Sequence, residues 1–485
     1  MKVVVVGYGS RGDVEPLAAV GRELLRRGHD MCMAVPPDMV GFAESAGLAA
    51  VAFGPDTRET INPASALVRD FATRMHDQVR VLTEATVRIS RVKADKTATL
   101  MAVAHGADLL LAGFNEQGLA ANVAEHYGIP LAALHPFPTR ILSSMSMVSD
   151  ITKQTDDAQR QALGLPEATE PSPRKSLEIQ AYDELCLPGP AAEWVDSDGC
   201  MPFVGALTLQ SPTAVDDEVL SWIANGKPPI YFGFGSTLIP SPADLVAEIS
   251  SACARLGERA LICGGPNDFT HMRHFENVKV VDAVNHAAIF PVCRAAVHHG
   301  GAGTTAAAMR AGIPMLVLWF WLDQPIWAAG VERLKVGSAR EFAASSVDSL
   351  VADLRSILTP QCFIRAHEVA AQMTKPAESI ARAADLLVDA ARRGIAPGAT
   401  VDGMSEVSGS DRIDDVTPGD IIAVDRGSGQ QPYKVVFKDA TEAGYVVTLE
   451  GGGETFDLDL AAGTTVVRSL ASKWESTQSP TPHSE

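Results

Sequence analysis

Val297-His298-His299-Gly300-Gly301-Ala302-Gly303-Thr304-Thr305-Ala306-Ala307-Ala308-Met309 ends an apolar strand on two histidines, turns on glycines and sets hydroxyls on the first turn of a helix. The N–H groups that open a helix lack partners and carry partial positive charge, and glycine lets an anion approach with no Cβ in the way. A diphosphate suits such a turn. A strand-to-helix turn of this kind also serves as a plain tight connection, so the neighbouring sequence has to decide. Ala311-Gly312-Ile313-Pro314-Met315-Leu316-Val317-Leu318 follows as a loop and another buried strand ending near Asp323-Gln324, and two polar side chains thereby emerge close to the same turn.

The strand ending at His298 belongs to a series. Ile230 to Phe234, Ala260 to Cys263, Val278 to Val281, Ala295 to His298 and Met315 to Leu318 are short apolar runs separated by helical stretches. Val3 to Val6, Met31 to Val35, Leu109 to Ala112 and Leu131 to Leu134 form an earlier series, with Leu17 to Arg27 helical between the first two. Strands alternating with helices predict parallel sheets covered on both faces, and hence an α/β fold with two doubly wound halves. Between them, Val204-Gly205 to Gly226-Lys227-Pro228-Pro229 is rich in breakers and reads as a linker. Pro376 to Arg393 reads as a last helix with its proline at the start. After Gly394 five alternating segments, Ile421 to Val424, Tyr433 to Phe437, Tyr445 to Leu449, Thr455 to Leu460 and Thr464 to Val467, suggest a small β-barrel of SH3-like or similar kind. The expected division is 1–206, a linker over 207–228, a second half over 229–374, a helix over 375–395, a small all-β module over 400–473 and a disordered tail over 474–485.

Composition excludes several classes. With 485 residues, 46% hydrophobic and 20% charged, the chain has the make-up of a soluble globular protein of two or three domains. A net charge of −19 speaks against nucleic acid as a partner, since no basic field exists to replace phosphate counterions. Seven cysteines without a C-x-x-C pair suggest reduced thiols in a cytoplasm. Met1-Lys2 runs straight into Val3-Val4-Val5-Val6, with no signal-peptide pattern, and the apolar stretch 311–330 is interrupted by Pro314, Asp323, Gln324 and Pro325, so a cytoplasmic location and no transmembrane helix are expected.

The stretch from Val284-Asn285-His286 through His298-His299-Gly300-Gly301-Ala302-Gly303-Thr304-Thr305 to Asp323-Gln324-Pro325 resembles the nucleotide-sugar signature of family 1 glycosyltransferases, which have the GT-B fold. Gly9-Ser10-Arg11-Gly12-Asp13-Val14-Glu15-Pro16 resembles the start of the bacterial branch that glycosylates antibiotics, sterols and lipids, including enzymes that decorate glycopeptidolipids. The resemblance covers about residues 1 to 395. It implies two Rossmann-like domains facing a cleft, the first binding the acceptor and the second the nucleotide sugar, with the helix over 375–395 returning to the first.

Sugar transfer needs a base for the acceptor hydroxyl, compensation for charge on the leaving diphosphate, and groups that orient the sugar. Asp13, just beyond the first strand, suits the base by position and suits a helix N-cap equally well; the resemblance at Ser10-Arg11-Gly12-Asp13 favours catalysis. The resemblance implies that His299, with Gly301, Gly303, Thr304, Thr305 and the helix start, meets the diphosphate, and that Ser236 is a further phosphate contact. It likewise implies that Ser10, Arg11 and Gly12 border the donor, that Val284 and His286 face the nucleobase, and that Asp323 and Gln324 hold sugar hydroxyls. One displacement without a covalent intermediate inverts the anomeric centre. No cofactor and no metal are expected: Asp196-Ser197-Asp198 and Asp457-Leu458-Asp459 have the D-x-D spacing but sit in a loop and on the alternating acidic tail.

Gly7-Tyr8-Gly9-Ser10-Arg11-Gly12 also spells G-x-G-x-x-G, the dinucleotide fingerprint of oxidoreductases. That reading calls for an acid after the second strand, where Pro36-Pro37 stands instead. A non-catalytic relative would lack Asp13 or His299, and both are present. No G-x-S-x-G elbow appears, and Gly226-Lys227-Pro228 lacks the Walker A spacing.

Segments 55–100 and 136–200 are the expected walls of the acceptor pocket. Arg80, Arg88, Arg91, Lys93 and Lys96 form a basic stretch that suits either a solvated helix face or a peripheral contact with anionic lipid at the inner face of the membrane. The expected acceptor, by resemblance, is a hydroxyl on a bulky, largely apolar molecule such as a glycolipid, lipopeptide, sterol or natural product. UDP-glucose and dTDP-deoxysugars such as rhamnose remain alternative donors, and Trp319-Phe320-Trp321-Leu322 before Asp323 suits a less polar sugar. The last 86 residues hold fifteen acidic against six basic side chains, an acidity that solubility accounts for.

Overall fold

The structure, a computed structural model, describes residues 1–57, 78–139, 149–166, 176–187, 200–269 and 273–393, and from the C-terminal segment 410–413, 416, 421–425, 430–441, 444–451 and 454–469. These fall into two compact units, one up to residue 393 and one from 410 onward. Asp196-Ser197-Asp198 and the tail over 474–485 lie outside the described residues.

The first lobe is built on β1 (Lys2–Val6), β2 (Asp30–Val35), β3 (Ala49–Ala52), β4 (Leu109–Gly113), β5 (Leu131–His135) and β6 (Leu177–Gln180). All neighbours are parallel, in the order β3-β2-β1-β4-β5-β6. The valine run of β1 shows why the pattern is continuous rather than alternating. Val3 and Val5 pack into one hydrophobic cluster and Val4 and Val6 into another on the opposite face, so both sides of the strand are inside. Helix α1 (Arg11–Arg26) covers the first face, and the long helix α2 (Gln78–Ala104) with α3 (Gln117–Tyr127) covers the second.

The second lobe repeats the plan with β7 (Ile230–Gly233), β8 (Ala260–Cys263), β9 (Val278–Val281), β10 (Ala295–His298), β11 (Met315–Trp319) and β12 (Gly337–Glu341), ordered β12-β11-β10-β7-β8-β9 and again parallel. The short helix α4 (His286–Ile289), then α5 (Ala302–Ala311) and α6 (Gln324–Leu334), follow β9, β10 and β11. The last helix of this unit, α7 (Pro376–Arg393), buries Ala383, Ala384, Leu387 and Val388 in the first lobe's cluster beside Leu17 and Val20 of α1.

β3, β6 and β12 were not anticipated in the sequence. All three stand at the ends of their strand orders, and Ala-Ala-Val-Ala, Leu-Glu-Ile-Gln and Gly-Ser-Ala-Arg-Glu carry little β-branched or aromatic signal. The breaker-rich linker holds a helix, Asp216–Ala224, whose first turn carries Asp216, Asp217 and Glu218, acids that favour a helix start. The basic stretch on α2 is not one positive face. Arg88 and Arg91 are exposed, but Lys93 pairs with Asp156 and Lys96 is buried against Glu116.

The second unit is a six-stranded antiparallel sheet ordered β13-β18-β14-β15-β16-β17: β13 (Ser410–Arg412), β14 (Ile421–Asp425), β15 (Gln430–Thr441), β16 (Gly444–Gly451), β17 (Glu454–Ala461) and β18 (Thr465–Ser469). Val435, Val447 and Leu449 fill its small core with Ile413 and Val416. Among the described residues no helix is long and apolar enough to cross a membrane.

Candidate active site

Each parallel sheet reverses its strand order once, between β1 and β4 in the first lobe and between β7 and β10 in the second. In sheets of this kind the crevice beyond the carboxyl ends of the strands at that reversal is where ligands bind. The residues singled out in the sequence sit at these two points: Ser10, Arg11, Gly12 and Asp13 after β1, Ser236 after β7, and His299 to Thr305 after β10.

Asp13 occupies the third position of α1 and turns back on its cap, accepting from the Ser10 N–H at 2.8 Å and the Ser10 hydroxyl at 3.1 Å. The carboxylate lies over Gly9, whose φ of +139° suits glycine, and a Cβ there would meet Asp13 Oδ2 at 2.3 Å. Asp13 keeps some accessible surface but has protein on most sides, as at the floor of a crevice. Burial pushes its pKa up to about 6, the Ser10 hydrogen bonds hold it back, and the charge of Asp323 raises it further.

His298 and His299 part company. His298 is fully buried and accepts the Gly300 N–H on Nδ1 at 3.1 Å, so it braces the turn. The His299 ring lies between two glycines: a Cβ on Gly235 or on Gly301 would come within 2.7 Å of His299 Nε2. Burial draws its pKa down to about 4, an effect the neighbouring Gly233 backbone opposes. Gly301 caps α5, so the N–H groups of Ala302, Gly303 and Thr304 are the unsatisfied donors of its first turn. Thr305 is buried and its hydroxyl donates to the Gly301 carbonyl at 2.9 Å, so it serves the helix, while Thr304 and Gly303 retain accessible surface.

His286 opens α4, where Asn285 caps by accepting the Ala287 N–H at 3.1 Å. The His286 ring stacks on Phe290 with centroids 4.4 Å apart, and its Nε2 lies 2.9 Å from the Tyr231 hydroxyl. Its pKa is drawn down to about 4, first by burial and then by the charges of Arg11 and His299. Val284 is buried beside it, and Ser236 is exposed in the turn after β7, which Asn267 holds by accepting the Ile239 N–H and donating to the Thr237 carbonyl.

Asp323 caps α6 and accepts from Trp327 Nε1 at 2.7 Å; burial raises its pKa. Gln324 is buried, and its carbonyl oxygen takes the Phe320 N–H at 2.8 Å, so that part of the side chain holds the preceding turn. In that turn Leu322 has a φ of +55°, and Trp321 and Leu322 are 55% and 63% exposed.

Two electrostatic couplings cross between the lobes here. Asp13 of the first lobe feels Asp323 of the second, and Arg11 of the first, which also pairs with Glu15 at 2.7 Å, acts on His286 and Tyr231 of the second. The lobes are also latched by Arg310 of α5, which donates to the Ala206 carbonyl at 2.8 Å, the Thr374 carbonyl at 2.9 Å and the Ser379 hydroxyl at 3.3 Å, with Asp183 Oδ2 3.9 Å away. Tyr231, Arg310 and the Lys96–Glu116 pair were not legible as site residues, because each acts through a partner distant in sequence. Among the described residues no group of three or more His, Cys, Asp or Glu is placed to hold a metal.

Comparison with known proteins follows the two lobes. The N-terminal domain of glycosyltransferase family 28 matches residues 3–146, and the C-terminal domain of erythromycin biosynthesis protein CIII-like proteins matches residues 266–390, short of the antiparallel unit. A glycosyltransferase of Mycobacterium tuberculosis H37Rv is 54% identical over 417 residues, 81% of this chain and 100% of its own. The vancomycin aglycone glucosyltransferase of Amycolatopsis orientalis is 30% identical over 416 residues, 81% of this chain and 98% of its own. The crystal structure of glycosyltransferase VinC in complex with dTDP superposes with a TM-score of 0.53 at 19% identity, covering 81% of this chain and 100% of that one, a likeness of fold. With two sheets of one strand order and sequence identity of this extent, the chain belongs to the glycosyltransferases of GT-B type, related to those that glycosylate antibiotics.

Proposed function

We propose that the protein is an inverting, metal-independent glycosyltransferase that moves a hexose or deoxyhexose from a UDP- or dTDP-sugar to a hydroxyl of a bulky, largely apolar acceptor. The observation that carries the reading is that Asp13 and the His299 turn each stand beyond the carboxyl end of a strand where its sheet reverses, Asp13 in the first turn of α1 and the His299 turn opening α5. Asp13 takes the proton of the acceptor hydroxyl as its oxygen bonds to the anomeric carbon from the face opposite the diphosphate. The bond from that carbon to the β-phosphate oxygen breaks, and its electron pair leaves with the diphosphate. The N–H groups opening α5 and the His299 imidazole stabilise that charge. Thr304, Gly301, Gly303 and Ser236 line this side, and His286 and Val284 border the base. Asp323 and the amide of Gln324 meet sugar hydroxyls, and Ser10, Arg11 and Gly12 close over the donor from the first lobe.

The dinucleotide reading of Gly7 to Gly12 has less support. In such a site a pyrophosphate lies against the second glycine, and here the carboxylate of Asp13 fills that space. An apolar acceptor is favoured by the exposed Trp321 and Leu322 beside Asp323 and by the 37% exposed Phe114 after β4, whose ring meets Phe137 at 5.1 Å. One relative is named for the vancomycin aglycone as acceptor, and dTDP in the VinC structure supports the thymidine member of the donor pair. A lipid acceptor would place the enzyme at the inner face of the membrane. The test is hydrolysis and transfer from a panel of UDP- and dTDP-sugars, with Asp13→Asn and His299→Ala in whichever pair turns over. Asp13→Asn with undiminished transfer would remove the base, and turnover of small soluble phenols but of no lipid or lipopeptide would remove the acceptor class.

A further inference from the structure

We infer that the buried Lys96–Glu116 pair is a positioning device for the catalytic turn, clamping the ring of Tyr8 and through it fixing Gly9 and the carboxylate of Asp13. The inference rests on the proposed role of Asp13 as base. Lys96, on α2, brings its ammonium 2.6 Å from Glu116 Oε1 and 3.2 Å from the centroid of the Tyr8 ring, with the Phe53 ring at 5.2 Å. Both ends of the pair are buried. Glu116 follows β4 and Tyr8 follows β1, the two strands at the first lobe's reversal point, so the clamp joins both sides of that crevice to the helix behind it.

Tyr8 is gripped at three places. Lys96 holds the ring face, the hydroxyl donates to the Pro55 carbonyl at 2.9 Å, and its carbonyl accepts from Asn115 Nδ2 at 2.9 Å. The route of the lysine is reserved: at Gly54, with φ of +71°, a Cβ would come within 2.5 Å of Lys96 Cε and 3.2 Å of the Tyr8 ring. The residue after Tyr8 is Gly9, which touches the Asp13 carboxylate.

Stability alone does not account for the pair. Charges taken out of water together are often replaced by apolar residues of like volume without loss, or with gain. An apolar filler lacks the directional attraction of an ammonium for the face of an aromatic ring. Burial acts against both charges, lowering the pKa of Lys96 and raising that of Glu116, and the attraction of each for the other opposes that shift.

The test is the double variant Lys96→Met/Glu116→Leu, because each single change strands a lone buried charge and lowers stability for that reason alone. The double variant is expected to recover the wild-type Tm and bind UDP or dTDP with unchanged Kd. Its kcat is expected to fall about tenfold to a hundredfold, with the acid limb of its pH profile displaced to lower pH as water reaches Asp13. Recovery of Tm together with full kcat and an unmoved acid limb overturns the inference. Should the double variant not fold, Tyr8→Leu and Tyr8→Phe are compared with the pair intact: a much larger kcat loss for Tyr8→Leu supports the clamp, and equal losses overturn it. Asp13→Asn in the same assay separates the two claims. If it retains turnover the base assignment fails; if it abolishes turnover while the double variant is fully active, the clamp alone fails.

Discussion

The Asp13 carboxylate rests on Gly9, with Oδ2 2.3 Å from the place a Cβ would take. No L side chain fits there without moving the carboxylate, and φ of +139° would strain one in any case. Gly9→Ala is therefore expected to leave a folded protein whose kcat is lower by about a hundredfold, the order of loss that a misplacement of about 1 Å produces. Steady-state kinetics beside a thermal melt check it; a Gly9→Ala protein with wild-type kcat would show that the carboxylate is not held by this contact.

Acidity follows from the same group. With the Asp13 pKa pushed up to about 6, the ionised base is lost below that pH, so kcat/KM should fall tenfold per unit on the acid side. Asp323→Asn removes a like charge and should move the midpoint down, measurable on the activity that remains. A midpoint unmoved by Asp323→Asn would deny the coupling across the lobes.

A raised carboxylate pKa also bears on stability. From an ordinary 3.8 to about 6, the folded state favours the protonated form, so this contribution is present in full below the unfolded value and lost as pH rises through the folded one. Asp13→Asn should therefore stabilise the protein above pH 6, on the order of 1–3 kcal/mol, and have little effect near pH 3. Denaturant unfolding at the two pH values checks the sign. Loss of turnover with a gain in Tm would mark a site that trades stability for chemistry.

His299 is expected to titrate near 4 in the free enzyme and higher with UDP or dTDP bound, because an anion favours the imidazolium. NMR titration of histidine-labelled protein reads this directly. His299→Ala should cost about a hundredfold to a thousandfold in kcat, as loss of one donor to a developing anion does elsewhere.

Arg310→Ala should destabilise the protein by about 3 kcal/mol, since it leaves Asp183 buried beside an emptied site and frees the Ala206 and Thr374 carbonyls. A loss under about 0.5 kcal/mol in chemical denaturation would show that the latch is not needed.

The central strands of both sheets were legible because they are buried on two faces and read as uninterrupted apolar runs; β8 and β10 match residue for residue, as does β9 at the end of its sheet, where Val-Lys-Val-Val keeps a β-branched signal. The outermost strands β3, β6 and β12 were not, since a polar or alanine-rich sequence removes that signal. In the site, the turn at His299 could be read from glycines and helix punctuation, which are local. Lys96 illustrates the opposite case: in sequence it closes a basic run, and only the fold turns it inward to Glu116, twenty positions away. Thr305 was legible as a hydroxyl near the turn but not as one donating to the Gly301 carbonyl.

The return of α7 to the first lobe has a consequence for biosynthesis. Ala383, Ala384, Leu387 and Val388 complete a core whose other members begin at Val3, so that core remains open until almost four hundred residues have left the ribosome. The second sheet, all of whose strands lie between Ile230 and Glu341, is translated in full before that seal forms and is free to fold first. Nascent chains halted before Pro376 should accordingly expose the flank of α1 to chaperones and proteases.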